Sequence, residues 1–164
     1  AKLAGMLAML DASVAATRRI AADLRPLVLD DLGLVAAIEW LTQNFTQRHG
    51  VPCALDMDED LELHEPYATA VFRIVQESLV NVAKHAGASQ VQVQVVRAGG
   101  EVTLRVADDG AGFETVTPRK AGSLGLAGLR ERAQLLKGTV SITSAPGQGT
   151  VVQAHIPVQE GHAP

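Results

Sequence analysis

Between Arg73 and His85, polar residues recur at helical spacing. On a wheel of about 3.6 residues per turn, Glu77, Asn81, Lys84 and Arg73 share one side, with His85 at its edge. Phe72, Val75, Leu79 and Val82 fall opposite, so one face is made for burial and the other carries a carboxylate, an amide and one or two cations. A plain solvated face has the same pattern. Asn, however, is a poor helix former in mid-helix. Its amide oxygen can ligate a hard divalent cation alongside phosphate oxygens, and Lys84 can meet phosphate as a point charge. Downstream, Asp108-Asp109-Gly110-Ala111-Gly112-Phe113 follows directly on the alternating Val102, Leu104 and Val106. A carboxylate at a strand end, followed by glycines that admit a close ligand, can accept a hydrogen bond from the exocyclic amine of adenine. Guanine offers a carbonyl there and would be rejected. A hairpin turn and a calcium loop are the competing readings, although the oxygen donors after Asp109 stop at glycines and an aromatic, which disfavours calcium. Gly122-Ser123-Leu124-Gly125-Leu126-Ala127-Gly128 opens a helix whose free N–H groups make either an anion site or an ordinary cap. Gly147-Gln148-Gly149-Thr150, taken alone, is a hairpin turn.

The elements that must position these residues can be read in order. Leu3, Leu7, Leu10, Val14, Thr17, Ala21 and Leu24 alternate four- and three-residue steps, the seam of a helix packed along a partner helix or into a core, and Pro26 ends it near Leu24. Asp30 and Asp31 cap a second helix with Leu34, Ile38, Leu41 and Phe45 on its inner face and Gly50 past its end. Residues 51–57 form a short strand. A third helix runs from Pro66 to about Ala86, before Gly87. Val91, Val93 and Val95, then Val102, Leu104 and Val106, alternate on either side of Gly99-Gly100, a hairpin. Residues 108–124 are a loop of functional length, a fourth helix covers about Leu126 to Leu136, and strands at 139–144 and 150–157 close the chain. The expected fold is α+β: a two-layer α/β sandwich with a mixed, mainly antiparallel sheet covered by helices on one face, plus an N-terminal helix. A doubly wound parallel fold is excluded, because Gly110 and Gly112 do not lie in the first turn of a strand–helix–strand unit.

Composition narrows the setting. The 164 residues are 47% apolar and 20% charged, enough for a packed core, but only 3% aromatic, so Leu, Val, Ile and Ala must fill it. A net charge of -4 leaves no basic field for nucleic acid, and a polyanion must be held locally by a few cations and backbone N–H groups. Cys53 is the only cysteine, which excludes an internal disulfide or a cysteine-clustered zinc site and suits a reducing, cytoplasmic location. No apolar run reaches membrane-span length, so no membrane contact is expected from these residues. The chain starts at Ala1 without methionine and is read as part of a longer protein, in which a membrane-embedded part upstream would not be visible.

In this order, the segments resemble the GHKL ATPase superfamily, which includes DNA gyrase and sensor histidine kinases. Gln76-Glu77-Ser78-Leu79-Val80-Asn81-Val82-Ala83-Lys84-His85 looks like its N box and Asp108 to Phe113 its G1 box. Gly125-Leu126-Ala127-Gly128-Leu129-Arg130-Glu131-Arg132 looks like its G2 box, and Gly149-Thr150 its last glycine motif. Asp23-Leu24-Arg25-Pro26, with Leu29-Asp30 and Leu32-Gly33-Leu34, resembles the end of the dimerisation helix and linker of the nitrate-sensor-like histidine kinases. The resemblance implies a Bergerat-type ATP-binding fold, with 1–30 as the end of the dimerisation region, 31–158 as the catalytic domain and 159–164 as a disordered tail. It implies ATP and Mg2+ as ligands, a homodimer in the full-length protein and a response regulator as partner. Asp108 would bind the adenine amine with Thr150 supporting it through water, and Asn81 would coordinate the metal. Lys84 and His85 would face the phosphates, residues 113–124 would form a mobile lid, and Glu77 would polarise or orient the phosphoacceptor. Gly110, Gly112, Gly125, Leu126 and Gly128 would line the nucleotide.

Three departures carry consequences. Asp109 stands where many relatives have Asn, and an extra carboxylate near the nucleotide is expected to weaken binding unless it faces solvent. Ser123-Leu124 precedes Gly125 where relatives often have Gly or His. His49, His64, His155 and His162 lack the acidic neighbour and leucine pattern of a phosphoacceptor, so residues 1–164 are expected not to autophosphorylate. Two other functions use the same motifs or scaffold. A serine kinase of the anti-sigma type shares the ATP boxes but lacks the heptad helix, and a degenerate dimerisation scaffold would not retain Glu77, Asn81 and Asp108.

Overall fold

The computed structural model describes residues 2–23, 27–115 and 125–160, with 14–23 described as backbone only. The elements run α1 (Lys2–Asp23), α2 (Leu27–His49), β1 (Cys53–Met57), α3 (Tyr67–Asn81), a π-helical turn (Val82–Ala86), β2 (Val91–Ala98), β3 (Glu101–Asp108), α4 (Leu126–Leu135), β4 (Thr139–Ser144) and β5 (Thr150–Pro157). One five-stranded sheet has the order β1-β2-β3-β5-β4. β1 pairs parallel to β2 and every other pair is antiparallel, so the sheet is mixed and mainly antiparallel as expected. The link between Leu24 and Pro26, the outer seam positions Val14, Thr17 and Ala21, and most of the 113–124 lid lie outside the described residues or side chains.

Strand alternation decides which face is covered. Val91, Val93 and Val95, Val102, Leu104 and Val106, and Val152, Ala154 and Ile156 are all buried, while Gln92, Thr103, Arg105 and Gln153 between them keep solvent contact. Helices α2, α3 and α4 supply the second layer, with Ala37 and Ile38, Val71, Phe72, Ile74 and Val75, and Leu129 and Ala133 closing the core. Each such large side chain contributes about 1.5–3 kcal/mol by leaving water. The polar face of the sheet is the one without helices.

Several boundaries differ from the sequence reading. Asp30 and Asp31 do not cap α2; helical backbone already begins at Leu27 and is interrupted at Gly33 (φ 80, ψ 173). The reason is packing: Leu29 on one side of the break and Leu34 on the other both bury into the core, at 4% and 6% exposure, and glycine accepts the positive φ that reorients the chain between them. β1 starts at Cys53 rather than Val51, because Pro52 has no N–H for a ladder and the Cys53 N–H donates to Thr46 Oγ1 at 3.2 Å instead. The third helix ends as an α-helix at Asn81, and its last turn, Val82–Ala86, widens to π geometry before Gly87 stops it with φ 56. Arg73, expected on the displayed side, is 8% exposed and donates from Nη1 to Gln76 Oε1 at 2.9 Å. The first turns of α3 are thus enclosed nearly all round, and only its C-terminal end opens to a site.

Candidate functional site

The strand ends define one wall. In register, Asp108 closes β3 opposite Thr150 at the start of β5, and Thr150 lies opposite Ser144 at the end of β4. The three residues therefore form a row across the sheet. Asp108 and Thr150 lie on the covered face with Val106 and Val152, two residues away along the same strands. Gly110 N–H donates to Asp108 Oδ1 at 2.8 Å. Burial pushes the Asp108 carboxyl above its ordinary value, opposed by the N–H groups of Gly110 and Thr150, with the neighbouring Asp109 charge adding to the rise. Asp109 itself points elsewhere. Its carboxylate accepts the N–H groups of Ser89 (2.8 Å) and Gln90 (3.0 Å) and the Ser89 hydroxyl, and these bonds hold its pKa low. Asp109 is exposed to solvent and faces the turn before β2, not the row.

The loop after Asp108 is clamped rather than free. Ala111 N–H donates to Ala86 O at the end of the π turn (2.7 Å), Gly147 N–H to Ala111 O (2.6 Å) and Gly149 N–H to Gly110 O (3.0 Å). A Cβ on Gly110 would collide with Ala86 O, and one on Gly112, at φ 63, with Ala145 O. Both glycines are thus required by the chain's own packing. Ser144 Oγ accepts the Phe113 N–H at 2.9 Å, which ties the first residue past the loop to the β4–β5 turn.

The opposite wall is the end of α3. Asn81 and His85 line the same cavity as Asp108 and Thr150, together with buried Ser78, whose hydroxyl donates to Ile74 O at 2.7 Å. Val82, Ala86, Val106, Val152, Leu126 and Phe113 make the apolar remainder of a space of about 300 Å³. That volume lies at the small end of ligand pockets and suits a flat heterocycle, leaving anything longer to extend out of the opening. Among the described residues, the only buried side-chain polar atom without a partner is Asn81 Nδ2. A half-turn of the amide exchanges nitrogen for oxygen at that point, so the position suits a ligand to a hard cation. No group of three or more His, Cys, Asp and Glu gathers among the described residues.

The remaining predicted residues divide. Gly125 (φ 67) precedes α4, and a Cβ there would come within 2.6 Å of Glu77 Oε1, so the Glu77 carboxylate lies beside the α4 N-terminus, where the helix dipole favours it. Leu126 is buried in the cavity wall. Lys84 is exposed and outside that wall, and Gly128 is exposed with nothing near the place a Cβ would take. Gly122, Ser123 and Leu124 lie outside the described residues. Ser144 stood in no motif of the sequence reading, and Ser78 and Phe113 stood within the N-box-like and G1-box-like segments without being assigned to the cavity wall. Ser144 did leave a signal: pairing the strands around residues 145–149 sets it opposite Thr150.

The chain is similar in sequence and in fold to known proteins. The sequence pattern of the histidine kinase-, DNA gyrase B-, and HSP90-like ATPases matches residues 67–160. The signal transduction histidine-protein kinase/phosphatase DegS of Brevibacillus brevis is 37% identical over 151 residues, which cover 92% of this chain and 39% of DegS. The sensor histidine kinase MctS of Rhizobium johnstonii is also 37% identical, over 90% of this chain and 32% of MctS. The chain thus spans 39% of one of these relatives and 32% of the other. Among solved structures, the Acinetobacter baumannii histidine kinase AdeS superposes with a TM-score of 0.68 at 13% identity, covering 94% of this chain and 84% of that one. The histidine kinase domain of a blue-light activated histidine kinase from Erythrobacter litoralis gives 0.65 at 22% identity, covering 76% of this chain and 60% of that one. With its cavity between the strand ends and the close of α3, and with the ATPase pattern extending over residues 67–160, the chain belongs to the histidine kinase-, DNA gyrase B- and HSP90-like ATPase family.

Proposed function

We propose that the chain is the catalytic domain of a sensor histidine kinase, presenting Mg-ATP for phosphoryl transfer to a histidine outside residues 1–164 and onward to a response regulator. The observation that carries this reading is the single cavity whose one wall holds Asp108 and Thr150 and whose other holds Asn81 and His85. In it, Asp108 accepts a hydrogen bond from the adenine amine, with Thr150 beside it, and the apolar walls exclude water from the base. Asn81 holds Mg2+, which when bound neutralises charge on the phosphates. His85 and the exposed Lys84 meet the phosphates where they leave the cavity, near Gly125, Leu126 and Gly128 at the α4 N-terminus. Gly110 and Gly112 keep the clamped loop in place beneath the base. Glu77, beside Gly125, orients the incoming histidine. Positioning and charge neutralisation account for most of the catalysis in phosphoryl transfer, which suits a site with few reactive side chains. The named histidine kinases among the relatives support this over a serine kinase of the anti-sigma type.

The test is calorimetric titration of Mg-ATP onto residues 1–164. Saturable 1:1 binding is expected, weakened by about one charged hydrogen bond, roughly tenfold to a hundredfold, in Asp108→Asn. Unchanged affinity in that variant removes Asp108 from the adenine role. Incubation with γ-labelled ATP should leave these residues unlabelled.

A further inference from the structure

We infer that Asp109 is a positioning residue: it braces the chain that follows α3 against the end of β3, so that Asn81 and His85 stand at a fixed distance from Asp108 across the cavity. The inference rests on the nucleotide-binding reading above and adds to it what keeps the two walls of the site in register.

The geometry carries it. Asp109 is exposed and is not part of the cavity wall, so it acts on a ligand only through other residues. Its neighbour Asp108 is already held, because in the ladder it lies opposite Val91 of β2 on one side and Thr150 of β5 on the other. The Asp109 carboxylate reaches back to an earlier segment instead. Oδ1 accepts the N–H groups of Ser89 (2.8 Å) and Gln90 (3.0 Å), and Oδ2 accepts the Ser89 hydroxyl. Two backbone donors and a hydroxyl converging on one group suit a charged acceptor. Ser89 and Gln90 lie between the π turn and β2, so the bonds join the base wall of the site to the chain leaving the helix wall.

That segment contains a pivot. Gly87 ends the π turn in the left-handed region at φ 56, with nothing near the place a Cβ would take. On its helix side Ala86 is gripped by the loop after β3: Ala111 N–H donates to Ala86 O, and Gly110 packs so close to Ala86 that a Cβ would collide. On its other side the grip is that of Asp109 on Ser89 and Gln90. With both sides held, the end of the helix cannot tilt about Gly87. With Ala86 alone held, the π turn that carries His85, directly after Asn81, can rock on that one contact. A ligand touching one wall does not sense the slack. A ligand reaching from the Asp108 edge to Asn81 and His85 does, since its affinity depends on both sets of contacts being made at once.

The experiment measures Kd for Mg-ATP, which spans both walls, and for adenosine, which meets only the base wall, with residues 1–164 as wild type, Asp109→Ala, Asp109→Asn and Asp109→Glu. In Asp109→Ala the affinity for Mg-ATP should fall about fivefold, the size of one hydrogen bond, while that for adenosine stays within about twofold. Asp109→Asn should restore Mg-ATP binding to within about twofold, because the amide oxygen accepts both N–H groups and its NH2 donates to the Ser89 hydroxyl. Asp109→Glu keeps the charge but displaces it by one methylene, and should show the same split as Asp109→Ala; it serves as the test if the alanine variant does not fold. A general loss of structure would weaken both ligands together, and that result overturns the inference. So does a gain in Mg-ATP affinity in Asp109→Ala, which would mean that the carboxylate acts by repelling phosphate, and so does an asparagine variant as weak as the alanine one. A wild type that binds neither ligand overturns the ATP reading and the inference with it. A wild type that binds both, beside an Asp109→Ala protein of unchanged affinities, overturns only the role of Asp109.

Discussion

The two walls of the cavity are built differently. On the strand side almost every polar group is committed within the chain: Asp108 to Gly110, Asp109 to Ser89 and Gln90, the Gly110–Gly112 loop to Ala86 and to the β4–β5 turn, and Ser144 to three neighbours. On the helix side the groups are left open. Asn81 has a buried atom without a partner, Lys84 and His85 are exposed, and Gly128 borders empty space. The difference teaches where the binding energy of a nucleotide would be organised in advance. A base meets a rigid, pre-satisfied edge and gains selectivity, whereas a metal–phosphate group completes a wall that the chain alone leaves unfinished.

Substitutions can break this contrast. The largest effect is expected from Gly112→Ala, on the clamped side. A Cβ at φ 63 that collides with the Ala145 carbonyl should lower unfolding free energy by about 2 kcal/mol or more in urea titration. A smaller loss would mean that the loop yields and is not clamped. Next, Asn81→Ala should cost no stability, since it removes an unpartnered buried group, yet lower ATP affinity about tenfold in the presence of magnesium and much less in its absence. Loss of stability without loss of the magnesium effect would show the helix side to be satisfied already.

Asp108 gives a subtler handle, because its carboxyl is held above the usual range, chiefly by burial. A group with a raised folded-state pKa contributes stability while protonated. That contribution is complete below the unfolded value of 3.8 and is lost as pH rises through the higher folded value. Ionised Asp108 therefore weighs against the fold at neutral pH. Asp108→Asn should melt no lower than wild type at pH 7, even while it binds ATP poorly, and its advantage should shrink toward pH 3; a lower melting temperature at pH 7 would mean that the carboxylate's hydrogen bonds outweigh its burial. The smallest effect is expected for Gly128→Ala. In an open helical position it should raise stability by about 0.5–1 kcal/mol in thermal unfolding, and a fall in Mg-ATP affinity alongside would assign the glycine to the ligand rather than to the fold.

Much of this molecule was legible in one dimension. The alternation in β2 and β3, the Gly99-Gly100 turn and the amphipathic spacing of α2 and α3 are local signals of period 2 and 3.6; both strands lie where the pattern puts them, and both helices are present with shifted ends. Asn81, Asp108 and Gly112, chosen by residue type and place, and His85, Leu126 and Thr150, implied only by the family resemblance, all line one cavity. The misreadings have tertiary causes. Asp30 and Asp31 look like caps only if Leu29 is not buried, Arg73 looks displayed only if no neighbour encloses the first turns of α3, and a regular wheel cannot foresee the π turn that carries Lys84 and His85.

Residue order alone thus determined which groups were available: an acid at a strand end, an amide late in a helix, glycines at the turns between. These follow from backbone propensity and hydrophobic period, which act over a few residues. Tertiary structure alone decided how those groups face one another. Asp109 turns to Ser89, Gly110 is pressed against Ala86, and Ser144 is set beside Thr150, because strand register and close packing bring together residues that are distant in the chain.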